Sequence, residues 1–273
     1  MGRNMTYRGR WALVSGASAG IGEAFARALA AKGANVALTA RRSERLDALA
    51  ADLAREHAVD TRVIAADLAK PGAPDDIFRT LEAGGVGVDI LINNAGFGLP
   101  GYYLDSEWPA HRDFIELMVT SYAHLVRLVL PGMKERGYGR IVQVASLAGL
   151  VPGSAGHTLY GASKAFLVSF SQSLAAECEG TGVKVSALCP GFTYSEFHDV
   201  NNSRALVSKL PKYMFMDAAP VVEGALRAVE NAHVVYVPGL WNKFAAWLAK
   251  ALPRPWAAQA VKRQSAKFRR QSA

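Results

Sequence analysis

Tyr160 and Lys164 stand four residues apart in "TLYGASKAFLVSFSQSLAAECEG" (158–180), a stretch with helical periodicity. On a helix that spacing puts both side chains on one face, the lysine one turn beyond the tyrosine. A free phenol titrates at about 10. A neighbouring ammonium favours the phenolate and is expected to lower that value. Tyr160 is therefore a candidate general acid or base near neutral pH. Ser146 closes the preceding apolar run "GRIVQVAS" (139–146). A serine there can hydrogen-bond the oxygen of a reacting carbonyl. The bland alternative is a surface Tyr–Lys pair that does no chemistry.

A second set of residues lies in "LVSGASAGIGEAFA" (13–26). Gly16-Ala17-Ser18-Ala19-Gly20 fits G-x-S-x-G, the nucleophile elbow of an α/β-hydrolase. Gly16, Gly20 and Gly22 also fit a glycine-rich turn that cradles a dinucleotide. An elbow needs a later acid and histidine, and His157, His198 and His233 are available. Position argues against it. The elbow follows a middle strand, whereas this motif has few residues before it. Gly22 has no use in an elbow. In the other reading it lets the helix approach the sheet, and an anion sits on the helix N-terminus.

The elements that must hold these residues alternate along the chain. "WALVS" (11–15), "NVALTA" (35–40), "TRVIAADL" (61–68), "VDILINNAG" (88–96), "GRIVQVAS" (139–146) and "VKVSALCP" (183–190) read as buried strands. "HVVYVPG" (233–239) is a seventh. Amphipathic helical patterns separate them: Ile21, Phe25 and Leu29 in the first; Leu46, Leu49 and Leu53 in the second, with Ser43 as its cap. A long helical stretch covers 108–135. Continuous apolar strands between such helices imply an α/β fold, a parallel sheet covered on both faces.

Bulk properties set outer bounds. The 273 residues suit one domain over 1–239 with an extension over 240–273. Composition is ordinary, 51% hydrophobic and 20% charged, and no run of apolar residues is long enough for a membrane span. The basic N-terminus lacks the apolar core of a signal peptide. Gly2 is not expected to be lipidated. Two cysteines, Cys178 and Cys189, make no disulfide framework, so a reduced, cytoplasmic setting is expected.

Taken in order, "SGASAGIG", "NNAG" (93–96), Ser146, "YGASK" (160–164) and Pro190-Gly191 resemble the classical short-chain dehydrogenase/reductase family. The resemblance covers roughly residues 10–240. It implies a Rossmann-type, doubly wound parallel sheet of about seven strands and a nicotinamide cofactor. It also implies hydride transfer between that cofactor and a carbonyl or alcohol carbon. Ser146, Tyr160 and Lys164 become the catalytic residues, and Lys164 would also hold the nicotinamide ribose. Ser18 becomes a turn and phosphate-contact residue beside Ala19 and Ile21, not a nucleophile. Asn93, Asn94, Ala95 and Gly96 would stabilise the central strand and flank the adenine ribose. Asp67, followed by Leu68, would contact the adenine; otherwise it caps a turn. Thr193 and Ser195, after Pro190 and Gly191, would bind the carboxamide. The family is mostly dimers and tetramers, so a homodimer or homotetramer is expected.

One position departs from the family pattern. Where relatives carry an asparagine in a context such as L-N-V-T, this chain reads Leu117-Met118-Val119-Thr120. The asparagine is thought to hold a water in a proton relay from the lysine. A thioether donates no hydrogen bond and accepts one weakly. Thr120 or Ser121 can rebuild the relay, or catalysis can bypass it. The opposite reading is an NADP(H)-binding scaffold or sensor with little catalysis.

The second strand ends Ala40-Arg41-Arg42 with no acid. An acid there binds the ribose 2′-hydroxyl of NAD, whereas a guanidinium matches a 2′-phosphate. NADP(H) is therefore expected, with Arg41 as its partner and Arg42 at the start of the next helix. The segment 191–217 is read as a substrate lid. Phe192, Phe197, Leu206, Tyr213, Met214, Phe215 and Met216 make it strongly apolar. Phe97, Leu99, Tyr102, Tyr103, Leu150 and Val151 fall on the same edge. A bulky hydrophobic ketone or alcohol is expected, with ordinary core packing as the competing reading.

The net charge of +8 sits in the tail. Residues 240–273 hold eight bases and no acid; the rest of the chain is formally neutral. Leu240, Phe244, Trp247, Leu248, Ala251 and Leu252 form a stripe at helical spacing, with Lys243 and Lys250 off it. Such a stripe suits packing against the chain or a partner subunit. It also suits peripheral contact with an anionic membrane. Nucleic-acid binding is not expected, since no recognition fold accompanies the charge.

Overall fold

The computed structural model describes residues 7–99, 101–194 and 215–253, with Trp256 and Gln259. Seven parallel strands form one sheet in the order β3-β2-β1-β4-β5-β6-β9. They are β1 (Trp11–Ser15), β2 (Asn35–Ala40), β3 (Thr61–Ala65), β4 (Val88–Asn93), β5 (Gly139–Val144), β6 (Val183–Leu188) and β9 (Val235–Tyr236). A two-stranded pair, β7 (Phe192–Thr193) and β8 (Phe215–Met216), stands apart. The third strand is shorter than its apolar run suggests: it ends at Ala65, and Asp67 already lies beyond it.

Strand side chains alternate between two cores. Ala12, Val14, Val36, Leu38, Ile90 and Ile92 pack with α1 (Gly20–Ala30) and α2 (Ser43–His57). Leu13, Ala37, Leu91 and Ile141 face the opposite side, with α3 (Ala73–Ala83). Period-two alternation with both faces apolar is what a doubly covered parallel sheet requires. α7 (Ala218–Glu230) joins the first layer through Val221, Val222, Ala225 and Leu226. Ser43 is the first residue of α2, not its cap; Arg42 holds the cap position without a side-chain bond.

The stretch 108–135 is helical throughout but not uniform. α4 (Trp108–Ile115) runs into one π turn (Glu116–Thr120) and then α5 (Ser121–Glu135). Its length and composition would allow it to cross a bilayer. Yet Phe114, Leu117, Met118, Leu125, Val126, Val129 and Met133 belong to the core, so it is a core helix here. α6 (Thr158–Glu177) lies beside it, and α8 (Leu240–Ala251) follows β9.

β1 and β4 are neighbours at the centre, where the strand order reverses. In open α/β sheets that reversal leaves a crevice outside the carboxyl ends of the strands.

Candidate active site

The glycine turn follows β1 at this crevice. Gly16 has φ +66°, and a Cβ there would lie 2.8 Å from Asn94 Nδ2 and from Ala95 Cα. Gly22 has a different reason. A Cβ on it would fall on the Gly16 carbonyl and within 2.5 Å of Asn94 Nδ2. No side chain fits between the first turn of α1 and the end of β4. Gly22→Ala is therefore expected to lower stability by about 1–3 kcal/mol, read as a lower denaturation midpoint. An unchanged midpoint would mean that the contact relaxes freely.

β4 is tied to this turn by its own terminal residues. Asn94 Nδ2 donates to the carbonyls of Ser15 (3.0 Å) and Gly16 (3.2 Å). The backbone N–H groups of Asn94 and Ala95 donate to Ser15 Oγ at 2.9 and 3.0 Å. Asn93 Nδ2 donates to the Tyr122 carbonyl (3.1 Å), and the Tyr122 hydroxyl donates to the Ala95 carbonyl (2.6 Å). The asparagines thus act as clamps between β1, β4 and α5.

α1 starts at Gly20 with Ala19 at its cap and no side-chain bond to its first N–H groups. Ile21 packs against the core behind them. Such an end attracts an anion. The nearest cation at this turn is Arg42: its Nη2 donates to Ser18 Oγ at 3.0 Å. Ser18 is thus occupied by a guanidinium, and among the described residues no histidine is bonded to it. Arg41, the expected 2′-phosphate partner, lies one residue earlier, and both arginines are exposed. The backbone turn from β2 into α2 aims Arg42 at Ser18. Asp67 Oδ1 accepts from the Ala69 N–H (3.1 Å), so it does cap a turn, beside buried Leu68.

Ser146 follows β5, and its Oγ accepts from the Ala148 N–H (3.2 Å), starting a 3-10 turn over Leu147–Gly149. The Leu147 N–H donates to the Pro190 carbonyl (2.8 Å), fixing this turn to the end of β6. Thr193 is buried in β7, and its Oγ1 donates to the Gly191 carbonyl (3.4 Å). On α6, Tyr160 lies beside Ser146, whose side chain favours the phenolate. Lys164 Nζ is buried, 5.7 Å from the Tyr160 ring centre, and donates to the Val144 carbonyl (2.7 Å).

Without a cofactor, burial dominates the titration of both groups. Burial raises Tyr160 above its ordinary 10, and Ser146 only partly offsets this. Burial also lowers Lys164 to about 7, with Cys189 opposing. The same desolvation that brings the pair together penalises both charged forms. Tyr160 is therefore protonated at neutral pH, an acid poised to donate, and Lys164 titrates near neutrality.

Met118 is fully buried in the π turn and its Sδ faces Gly96. Thr120 is exposed, and Ser121 Oγ donates to the Leu117 carbonyl (2.7 Å). Among the apolar candidates, Phe97 packs edge-on against Phe114 (5.5 Å) and Leu99 joins the same core, which is the packing reading. Tyr194 stacks on Phe215 (4.9 Å) and Phe192 lies tilted against it (5.6 Å). Ser195, Phe197, Leu206, Tyr213 and Met214 lie outside the described residues.

The family model for short chain dehydrogenase matches residues 10–205. The chain belongs to the short-chain dehydrogenase/reductase family. Very-long-chain 3-oxoacyl-CoA reductase of Anas platyrhynchos is 38% identical over 199 residues, 71% of this chain but only 62% of that relative. A short-chain dehydrogenase from Sphingobium yanoikuyae, solved in complex with NADPH, superposes with TM-score 0.78 at 31% identity, covering 89% of this chain and 96% of that one. The bulky-bulky ketone specific alcohol dehydrogenase from Comamonas testosteroni gives 0.74 at 30%, covering 92% and 96%. The family assignment makes the protein an oxidoreductase on a Rossmann-type fold.

Proposed function

We propose that this short-chain dehydrogenase/reductase is an NADP(H)-dependent carbonyl reductase for a bulky hydrophobic ketone, with Tyr160 as its proton donor. The observation that carries the reading is the placement of Tyr160 with buried Lys164, 5.7 Å from its ring centre, beside Ser146 on the edge that also holds the glycine turn.

The residues present fit the cofactor. Gly20, Ile21 and Gly22 offer an uncapped helix start to a pyrophosphate, with Ser18 and Ala19 in the turn before it. Arg42, and Arg41 beside it, offer guanidinium to a 2′-phosphate, and β2 ends without a carboxylate. Asn94, Ala95, Gly96, Asp67 and Leu68 flank the adenosine side; Pro190, Gly191, Thr193 and Lys164 flank the nicotinamide side. When bound, the reduced nicotinamide supplies the hydride that reduces the carbonyl carbon. Tyr160 gives its hydroxyl proton to the carbonyl oxygen while Ser146 holds that oxygen. Lys164, as an ammonium, steadies the phenolate left behind and supports its reprotonation.

The NADPH complex of the Sphingobium relative supports the cofactor, and the bulky-ketone specificity of the Comamonas relative supports the substrate class. An apolar cleft between α4 and α6, lined by Phe114, Ile115, Val119, Leu159 and Phe166, offers a second copy a surface to cover and fits a homo-oligomer.

Titrating NADPH and NADH into the wild type, Arg41→Ala and Arg42→Ala tests the cofactor reading. Arg42→Ala is expected to weaken NADPH by roughly tenfold or more and NADH little, since a charged hydrogen bond contributes about 1.5–3 kcal/mol. Equal losses for both cofactors would remove the 2′-phosphate role.

A further inference from the structure

We propose that the carboxyl end of the sheet docks on an anionic lipid surface, led by α8. The proposal stands on the protein surface alone and is independent of the reaction.

α8 is turned the other way from its apolar stripe. It packs inward through small or polar residues: Asn242 and Ala246 are buried, and Asn242 Nδ2 donates to the Pro238 carbonyl (2.8 Å). Leu240, Trp241, Phe244, Trp247 and Leu248 are exposed, Leu240 by 85% and Trp247 by 61%. Trp241, Phe244 and Trp247 form a continuous aromatic row, with centroids 6.0 Å apart at each step. Burying these would be the usual outcome for a helix that only finishes the fold.

The placement of the other exposed apolar residues points the same way. Tyr102, Tyr103, Leu104 and Trp108 follow β4; Tyr194 follows β6 and β7; α8 follows β9. With these, Trp256 completes the set of large hydrophobic side chains exposed among the described residues. Because the sheet is parallel, all these segments leave from one end of the molecule, the end that carries Tyr160 and the glycine turn.

Charge selects the occupant. Residues 240–273 contain eight bases and no acid, with Lys243 and Lys250 on α8 itself. The β4 segment carries the acids Asp105 and Glu107, whereas α8 carries only the bases Lys243 and Lys250. Tryptophan and phenylalanine beside lysines on a helix at a surface match the interface of an anionic bilayer, where apolar burial and charge attraction add. A second copy would bring the same positive charge to the same face.

Flotation of the full chain with phosphatidylglycerol/phosphatidylcholine vesicles, against phosphatidylcholine alone, tests this. Two variants accompany it: Trp241→Ala/Phe244→Ala/Trp247→Ala and Lys243→Glu/Lys250→Glu. All changed side chains are exposed, and circular dichroism checks the fold. The wild type is expected to float with anionic vesicles and not with neutral ones. Each variant should bind at least about tenfold more weakly. Absence of flotation, or equal recovery with both vesicle types, overturns the proposal. So does a triple variant that floats as before, or one that changes only the mass in solution, since the face would then belong to a second copy.

Discussion

Tyr160→Phe is expected to reduce turnover by roughly 10²–10⁴-fold while leaving NADPH affinity within a factor of two or so of wild type. Only the hydroxyl is removed. The ring keeps its place on α6, and the glycine turn that is proposed to bind the pyrophosphate lies on a different element. The loss should fall on kcat, because the proton is transferred only in the chemical step. Retained turnover would assign the donor to another group. Burial keeps Tyr160 protonated at neutral pH, so the reductive direction finds its acid ready.

Lys164→Met is expected to abolish most turnover and yet raise thermal stability. The lysine is fully enclosed, and burial lowers its pKa from the ordinary 10.5 to about 7. Below about pH 7 the folded chain must hold a desolvated ammonium, so the destabilisation is complete there. Between about 7 and 10.5 the unfolded chain binds a proton that the folded chain has released, and stability rises with pH. Above that window the penalty is gone. The methionine variant should therefore gain a few degrees in Tm at pH 6, and the gain should shrink toward pH 10. A loss of Tm at pH 6 would mean that the bond to the Val144 carbonyl outweighs desolvation. The same titration sets activity: wild-type reduction is expected to decline as pH rises through about 7 and the ammonium disappears. Such a stability–activity trade is common at sites built for chemistry.

Much of this architecture was legible in the sequence. The succession of strands and the parallel sheet follow from apolar runs separated by amphipathic helices, and the glycines and the Tyr160–Lys164 spacing identify the edge where the site is built. What was not legible depends on three-dimensional aim or on solvent. Arg41 and Arg42 are adjacent and alike; only the path from β2 into α2 sends Arg42 to Ser18. Burial acts on both Tyr160 and Lys164, and their spacing in the sequence does not reveal it. The π turn around Met118 has no periodic signature in a helix this apolar. On α8 the larger stripe was the natural inner face, yet small residues pack inward and the stripe faces out. The same pattern fits either orientation, and the closeness of Asn242 to Gly191 and Pro238 decides between them.

The most direct test of the central claim follows a labelled hydride. The enzyme would be incubated with NADPH deuterated at the transferable position of its nicotinamide ring and a panel of bulky aryl and alicyclic ketones. Deuterium is expected at the carbinol carbon of at least one alcohol product, with wild-type enzyme and not with Tyr160→Phe. Tight NADPH binding with no label in any product would contradict the reductase and leave a nucleotide-binding scaffold in its place.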